Sequence, residues 1–341
     1  MKRVFNNIAR AFALHRERLA RLRCALGLHL PTYLCIDRIS NSLDMDSFRN
    51  VLLQEDISAE YLPLIRNLDP ASILTVSTIV SRLRHLFKAR VQTDSSFFFL
   101  TPEEKKAKET QAVEFYPNII QISPSVWAYG KYLFPSRDLE PSVLLDKHFL
   151  ERTQTLGNVR GKNIIDAGGY IGDSALILAD YTDKNVYSFE PFAENRERLE
   201  TTLTLNHTRN IVVVPKALGD EKTTMRGKFQ DSSSRSVVAS EDGATEALDM
   251  TTLDDFVAEH KLTVGLIKVD VEGFEQRLLK GAERTIREQK PLLLISIYHN
   301  ASDFFHIKPL LESWNVGYTF TIAKPFNSNI VVETLLIAEV K

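Results

Sequence analysis

Four side chains near the carboxyl end of the chain carry the first chemical signal. The apolar run 265–270 has the composition of a strand buried on both faces, yet it contains Lys268 and Asp270, with Glu272 just beyond. Buried charges cost several kcal/mol unless they are paired. Either Lys268 forms a salt bridge that fixes strand and loop, or Asp270 or Glu272 binds a cofactor, a metal ion or a substrate. The next apolar run ends Ser296-Ile297-Tyr298-His299-Asn300. A histidine at the carboxyl edge of a sheet, with an ordinary pKa near 6.5, suits the removal of a proton from a hydroxyl at neutral pH. We therefore expect His299, Asp270 and Lys268 to be the catalytic group, with Glu333 a weaker candidate base. Two nearby carboxylates do not by themselves make a metal site, and no metal ligands are assigned.

A second constellation lies upstream. Asn163-Ile164-Ile165 runs into Asp166 and a turn holding Gly168, Gly169 and Gly172, and the segment from Ser174 to Ala179 has helical composition. A further apolar run, Val186–Phe189, closes on Glu190, 22 residues beyond Gly168. A βαβ unit of this kind presents an acid at the tip of its second strand, where it can bind a ribose diol. The dinucleotide fingerprint G-x-G-x-x-G would need glycines at 170 and 173, where the chain has Tyr170 and Asp173. Asp173 also falls at a helix start, where a pyrophosphate would normally be received. A carboxylate there repels a diphosphate and tolerates ammonium and sulfonium charges, which favours S-adenosylmethionine over NAD or FAD. Asp166, Gly168, Gly169, Gly172, Glu190 and Asp270 are the expected cofactor residues, together with Asp220, whose Leu218-Gly219-Asp220 turn could meet the adenine edge.

These residues need a scaffold that brings strand ends together. The pattern predicts strands at 163–166, 186–190, 211–214, 265–270 and 292–298, alternating with helices at 173–180, 193–206 and 274–288. Asp254 and Asp255 read as starting or capping a helix before Phe256. Sequential units of this kind form an α/β, doubly wound, Rossmann-like sheet with its ligands at the carboxyl ends of the strands. Residues 318–322 and 330–338 read as a terminal antiparallel hairpin. Between Gly219 and Asp255 an irregular segment either pairs as extra strands or covers the active site. Residues 1–100 read as a small helical domain, 101–150 as a connecting element and 151–341 as the catalytic domain. Asp69-Pro70 gives a helix start. The aromatic residues of 112–150 could pack in a core or form a wall for a sugar ring. Residues 1–30 have helical spacing with a basic face, which could pack on the chain or a second copy, dock on an anionic membrane surface, or hold a partner of the same pathway.

At 341 residues, 25% charged and with a net charge of -2, the chain has the composition of a globular protein and not that of a nucleic-acid binder. No apolar run approaches the roughly 18–20 residues of a membrane helix. Arg10, His15, Arg16 and Arg18 interrupt any signal-peptide core. The two cysteines, Cys24 and Cys35, are too few for a disulfide framework or a zinc site, so a cytoplasmic location is expected.

The segments DAGGYIGDSALILA, VYSFEPFAENRERLETTLTLN, VVVPKALGDE, TTLDDF and LIKVDVEGFEQRLLKGAE resemble, in order, the successive motifs of the FkbM family of S-adenosylmethionine-dependent methyltransferases. The resemblance covers roughly residues 140–341. It implies O-methylation of a hydroxyl on a carbohydrate or glycan intermediate, or on a natural product. A non-catalytic scaffold on the same fold is the alternative from another class. A similar Tyr-His strand ending occurs in the family, though other members carry a glutamate nearby.

Overall fold

The structure, a computed structural model, describes residues 33–35, 43–88, 97–229, 237–238, 246–327 and 329–341. The expected helix at 1–30, with its possible role in assembly, and the stretch 231–236 lie outside these residues.

A seven-stranded sheet forms the centre. In chain order its strands are β1 (Asn163–Ala167), β2 (Val186–Phe189), β3 (Ile211–Val214), β4 (Val264–Val269), β5 (Leu292–Ser296), β6 (Thr319–Ala323) and β7 (Leu335–Glu339). Across the sheet they run β6-β7-β5-β4-β1-β2-β3. The first five are mutually parallel, and β7 enters antiparallel to both β5 and β6. β4 and β5 are buried along their whole length, as their mostly apolar composition requires, with Lys268 of β4 the one charged residue among them. The strand order reverses between β1 and β4, so a crevice opens at their carboxyl ends.

The helices match the periodic segments with two informative differences. Expected as one helix, 274–288 is two, Glu275–Lys280 and Glu283–Gln289. A Cβ on Gly281 would lie 1.9 Å from the Gly219 carbonyl oxygen, and the chain turns at that close approach. Asp254, expected to start or cap its own helix, lies in that helix's first turn but does not cap it; its carboxylate accepts hydrogen bonds from the Arg284 and Thr285 amides at 3.0 and 2.7 Å and so caps the second of the pair. Its own helix, Leu253–His260, is capped by Thr252, whose hydroxyl accepts from the Asp255 amide.

The irregular segment pairs as strands: Thr223–Phe229 lies between Glu246–Thr251 and Val237–Val238, and Ala217–Leu218 joins the far side. Residues 119–134 form a three-stranded antiparallel sheet. Toward the N-terminus the helices Met45–Leu52, Ser58–Ile65 and Pro70–Lys88 bring Phe48, Leu52, Val76, Ile79 and Leu83 into the same apolar cluster as Phe304, Phe305 and Ile322. The Ser72 hydroxyl donates to Asp69, the helix-start residue, and accepts from the Ile322 amide of β6 at 2.9 Å. The Ser47 hydroxyl accepts from the Ala301 amide, and the Asp44 amide donates to the His299 carbonyl. These helices thus brace the backbone on either side of the β5 strand end.

Candidate active site

The crevice at the carboxyl ends of β1, β2 and β4 is a cavity of about 240 Å3. Its floor is the turn after β1. There Gly168 has φ 88, and a Cβ would fall 1.8 Å from the Asp270 carbonyl oxygen, so no other residue fits. Gly169 is pressed against Ser188 and Leu199, and Gly172 starts the helix Asp173–Ala179.

Beneath this turn Lys268 on β4 stands directly opposite Asp166 on β1. Its Nζ lies 3.2 Å from Asp166 Oδ1 and donates to the Gly168 carbonyl at 2.9 Å. The Ser188 hydroxyl of β2 donates to the other Asp166 oxygen at 2.8 Å. Burial opposes the ammonium, but Asp166, Asp270 and Asp173 outweigh it and hold the Lys268 pKa above its ordinary value. Of the two readings open in the sequence, this geometry matches the salt bridge that fixes strand and loop.

Glu190 lines the cavity at the end of β2. Its two oxygens accept from the Tyr170 and Phe192 amides, each at 2.9 Å, leaving lone pairs on both for a ligand. Burial raises its pKa despite those hydrogen bonds. Asp173 also lines the cavity, and burial raises its carboxyl above the ordinary range. Opposite lie Lys216, Ala217, Leu218, Met225 and Leu248, a mostly apolar wall that suits a flat ring. The extra strands therefore both pair and cover.

Asp220 lies outside this wall. Its carboxylate accepts from Arg277 Nε at 2.8 Å, on the outer side of the turn, so the residues that face an adenine edge are its apolar neighbours. Asp166, Gly169 and Gly172 support the floor from behind, whereas Gly168, Glu190, Lys268 and Asp270 face the cavity. No aromatic residue of the 119–134 sheet is among the lining groups described.

The opposite end of the cavity is acidic. Glu140, Asp270, Glu272, Tyr298 and Glu333 line it. The Tyr298 hydroxyl sits 3.4 Å from both Asp270 Oδ1 and Glu333 Oε1. Burial pushes the carboxyls of Glu272 and Glu333 up to about 7 each, with Asp270 adding to both. Glu333 has φ 66, in the turn just before β7.

His299 is 2% exposed and lies behind this wall. Its Nδ1 is 3.0 Å from Glu275 Oε1, and its Nε2 is 3.4 Å from Asp270 Oδ1 and 3.6 Å from Glu272 Oε2. Burial alone would lower its pKa, but Glu275 and then Asp270 and Glu272 reverse that and raise it to about 10. An imidazolium has no lone pair with which to accept a proton, so the expected role of His299 as a free base is not met by this geometry.

Two residues with no sequence signal complete the site. His148 lines the cavity, 3.0 Å from the Ser174 hydroxyl, and burial together with Lys268 pushes its pKa down to about 3, so it is neutral. Glu275 is fully buried, and its Oε1 accepts from the Val271 amide at 2.8 Å. Nothing in the runs DKHFL or GFEQR marks either residue, because their roles depend on which strand end lies beside them.

Residues 166–320 match the family described as "Methyltransferase FkbM domain". Over that stretch the chain is similar to an FkbM methyltransferase domain. The chain is similar to "Methyltransferase 1" of Beauveria bassiana (strain ARSEF 2860), at 22% identity over 222 residues, covering 58% of this chain and 88% of the relative. Its fold is similar to the crystal structure of methyltransferase FkbM from Methylobacillus flagellatus KT, with a TM-score of 0.50 and 20% identity over 82% of this chain. That match spans 58% of the Methylobacillus chain, little more than half its length. The matched stretch begins at Asp166, the residue that anchors the cavity floor, and ends in β6.

Proposed function

We propose that the protein transfers the methyl group of S-adenosylmethionine to a hydroxyl of a carbohydrate or glycan intermediate, with Glu333 as the general base. The observation that carries this reading is the charge of the cavity. Six carboxyl side chains line it (Glu140, Asp173, Glu190, Asp270, Glu272 and Glu333), against the ammonium groups of Lys216 and Lys268. Lys268 is already committed to Asp166 and the turn. Such a lining favours a ligand with ammonium and sulfonium charges and disfavours a diphosphate.

In this reading Glu190 accepts from the ribose hydroxyls, the apolar wall from Ala217 to Leu248 takes the adenine, and the sulfonium methyl points to the acidic end. Carboxylates and the Tyr298 hydroxyl there are acceptors for the several hydroxyls of a sugar, which orient one oxygen in line with the methyl carbon. As that oxygen attacks, its proton must leave. Glu333 has a pKa of about 7 and lines the cavity from the turn just before β7.

The test measures S-adenosylhomocysteine release with a panel of neutral glycans as acceptors. Glu333→Gln should hold S-adenosylhomocysteine affinity within about twofold while turnover drops by about 10²–10⁴. Because the base acts when deprotonated, wild-type turnover should rise with pH to about 7 and then level. Full turnover in the variant, with the same acid limb, removes Glu333 from the mechanism. Failure of wild type to bind S-adenosylhomocysteine removes the whole reading.

A further inference from the structure

We propose that His148 and Ser174 hold the carboxylate at the amino-acid end of S-adenosylmethionine. This role rests on the methyl-transfer reading. The donor is positive at its ammonium and sulfonium but negative at its carboxylate, and a cavity lined by carboxyl side chains repels that one group. The carboxylate therefore needs hydrogen-bond donors placed away from the acidic end. His148 and Ser174 both line the cavity, with the ring Nε2 3.0 Å from the Ser174 hydroxyl. Ser174 belongs to the helix that follows the glycine turn, so the pair lies on the side of the cofactor floor, whereas Asp270, Glu272, Tyr298 and Glu333 come from the ends of β4 and β5 and the turn before β7.

His148 is 8% exposed, and its Nδ1 has no hydrogen-bond partner among the described residues. A neutral imidazole paired with one hydroxyl always leaves one donor over. If Ser174 donates to Nε2, the free donor is the Nδ1–H; if Nε2–H donates to Ser174, it is the hydroxyl proton. Burial and then Lys268 keep the ring neutral, and the Lys268 ammonium adds attraction for an anion at the same corner. Asp173, next to Ser174 and also in the lining, suits the ammonium of the same amino-acid group.

The backbone at His148 is a separate mark of function. Lys147, His148 and Phe149 have φ of 49, 51 and 58, three successive non-glycine residues in the left-handed region. Residues with a Cβ visit that region singly and at a cost, and such strain persists where packing enforces it, typically at binding and catalytic sites. Here Phe149 and Leu150 enforce it, sunk in the apolar cluster with Val159, Ile164, Ala175 and Leu178 of β1 and the helix Asp173–Ala179. The Phe149 amide donates to the Asp146 carbonyl at 2.8 Å and closes the turn. The imidazole thus reaches the cavity from a segment that precedes the matched stretch 166–320.

Calorimetry on the full chain compares S-adenosylhomocysteine with its decarboxylated form, which keeps the adenosine, the sulfur and the amine. Wild type should bind the decarboxylated form at least about tenfold more weakly. His148→Gly removes the ring and suits the left-handed backbone, so the variant should fold. Its affinity for S-adenosylhomocysteine should fall about 10–100-fold, while its affinity for the decarboxylated form stays within about twofold of wild type. An equal loss for both ligands makes the ring a structural part of the cavity wall and overturns the proposal, as does S-adenosylhomocysteine affinity within twofold of wild type. If wild type binds the two ligands equally, the carboxylate contact alone has failed; if it binds neither, the methyl-transfer reading has failed.

Discussion

Replacing Lys268 by Met removes a buried ammonium while keeping most of its volume. The pair it forms with Asp166 is closed from solvent on both sides, at 6% and 0% side-chain exposure. Without Lys268, Asp166 keeps the Ser188 hydroxyl and loses its only opposite charge among the described residues. Breaking a buried pair from one side costs about 3–5 kcal/mol, because the remaining charge is stranded. At about 2 °C per kcal/mol for a chain of this size, the melting temperature should fall by about 6–10 °C. The Gly168 carbonyl loses its donor in the same step, so the turn that floors the cavity relaxes and S-adenosylhomocysteine affinity should drop at least tenfold. The control is Asp166→Asn combined with Lys268→Met. Removing both charges leaves a neutral, hydrogen-bonded amide, and the double variant should recover at least about 2 kcal/mol relative to Lys268→Met alone. Urea unfolding and calorimetry measure both effects. A Lys268→Met protein within 1 kcal/mol of wild type, or a double variant as unstable as the sum of its parts, would refute the assignment of the pair as the support of the floor.

Gly168→Ala should abolish measurable S-adenosylhomocysteine binding, because its Cβ would overlap the Asp270 carbonyl in a left-handed backbone conformation; calorimetry checks this. Asp220→Ala should leave that affinity within twofold, since Asp220 faces Arg277 and not the cavity. The Arg82–Glu104 pair, at 2.6 Å and 11% and 23% side-chain exposure, ties the helix Pro70–Lys88 to the capping box of Pro102–Thr110. Burial opposes ionisation of Glu104, but Arg82 and the Thr101 amide overcome it and hold the pKa below 4.5. The stabilisation is therefore complete above pH 4.5 and is lost as pH falls through the lower folded value. Glu104→Gln should cost about 1–2 kcal/mol at pH 7, and the difference from wild type in urea unfolding should shrink at acidic pH.

Much of the scaffold was written locally. Continuous apolar runs can only be strands covered on both faces, and the glycines at 168, 169 and 172 answer steric demands that act within a few residues. The placement of Glu190 at a strand tip followed in the same way from the length of one βαβ unit, as did the preference against a dinucleotide from Tyr170 and Asp173. What the sequence could not decide is who faces whom. Lys268 meets Asp166 only because β4 lies beside β1 in register, and that neighbourhood is set by the order of the whole sheet. Asp220 has the residue type of a cofactor ligand, and only the packing of the helix Glu275–Lys280 turns it toward Arg277. His299 has the chemistry of a base in isolation. Its surroundings, Glu275 from one helix and Asp270 and Glu272 from the end of another strand, convert it into a charged ring, because a pKa depends on the charges and water around a group and those are arranged only when the chain folds.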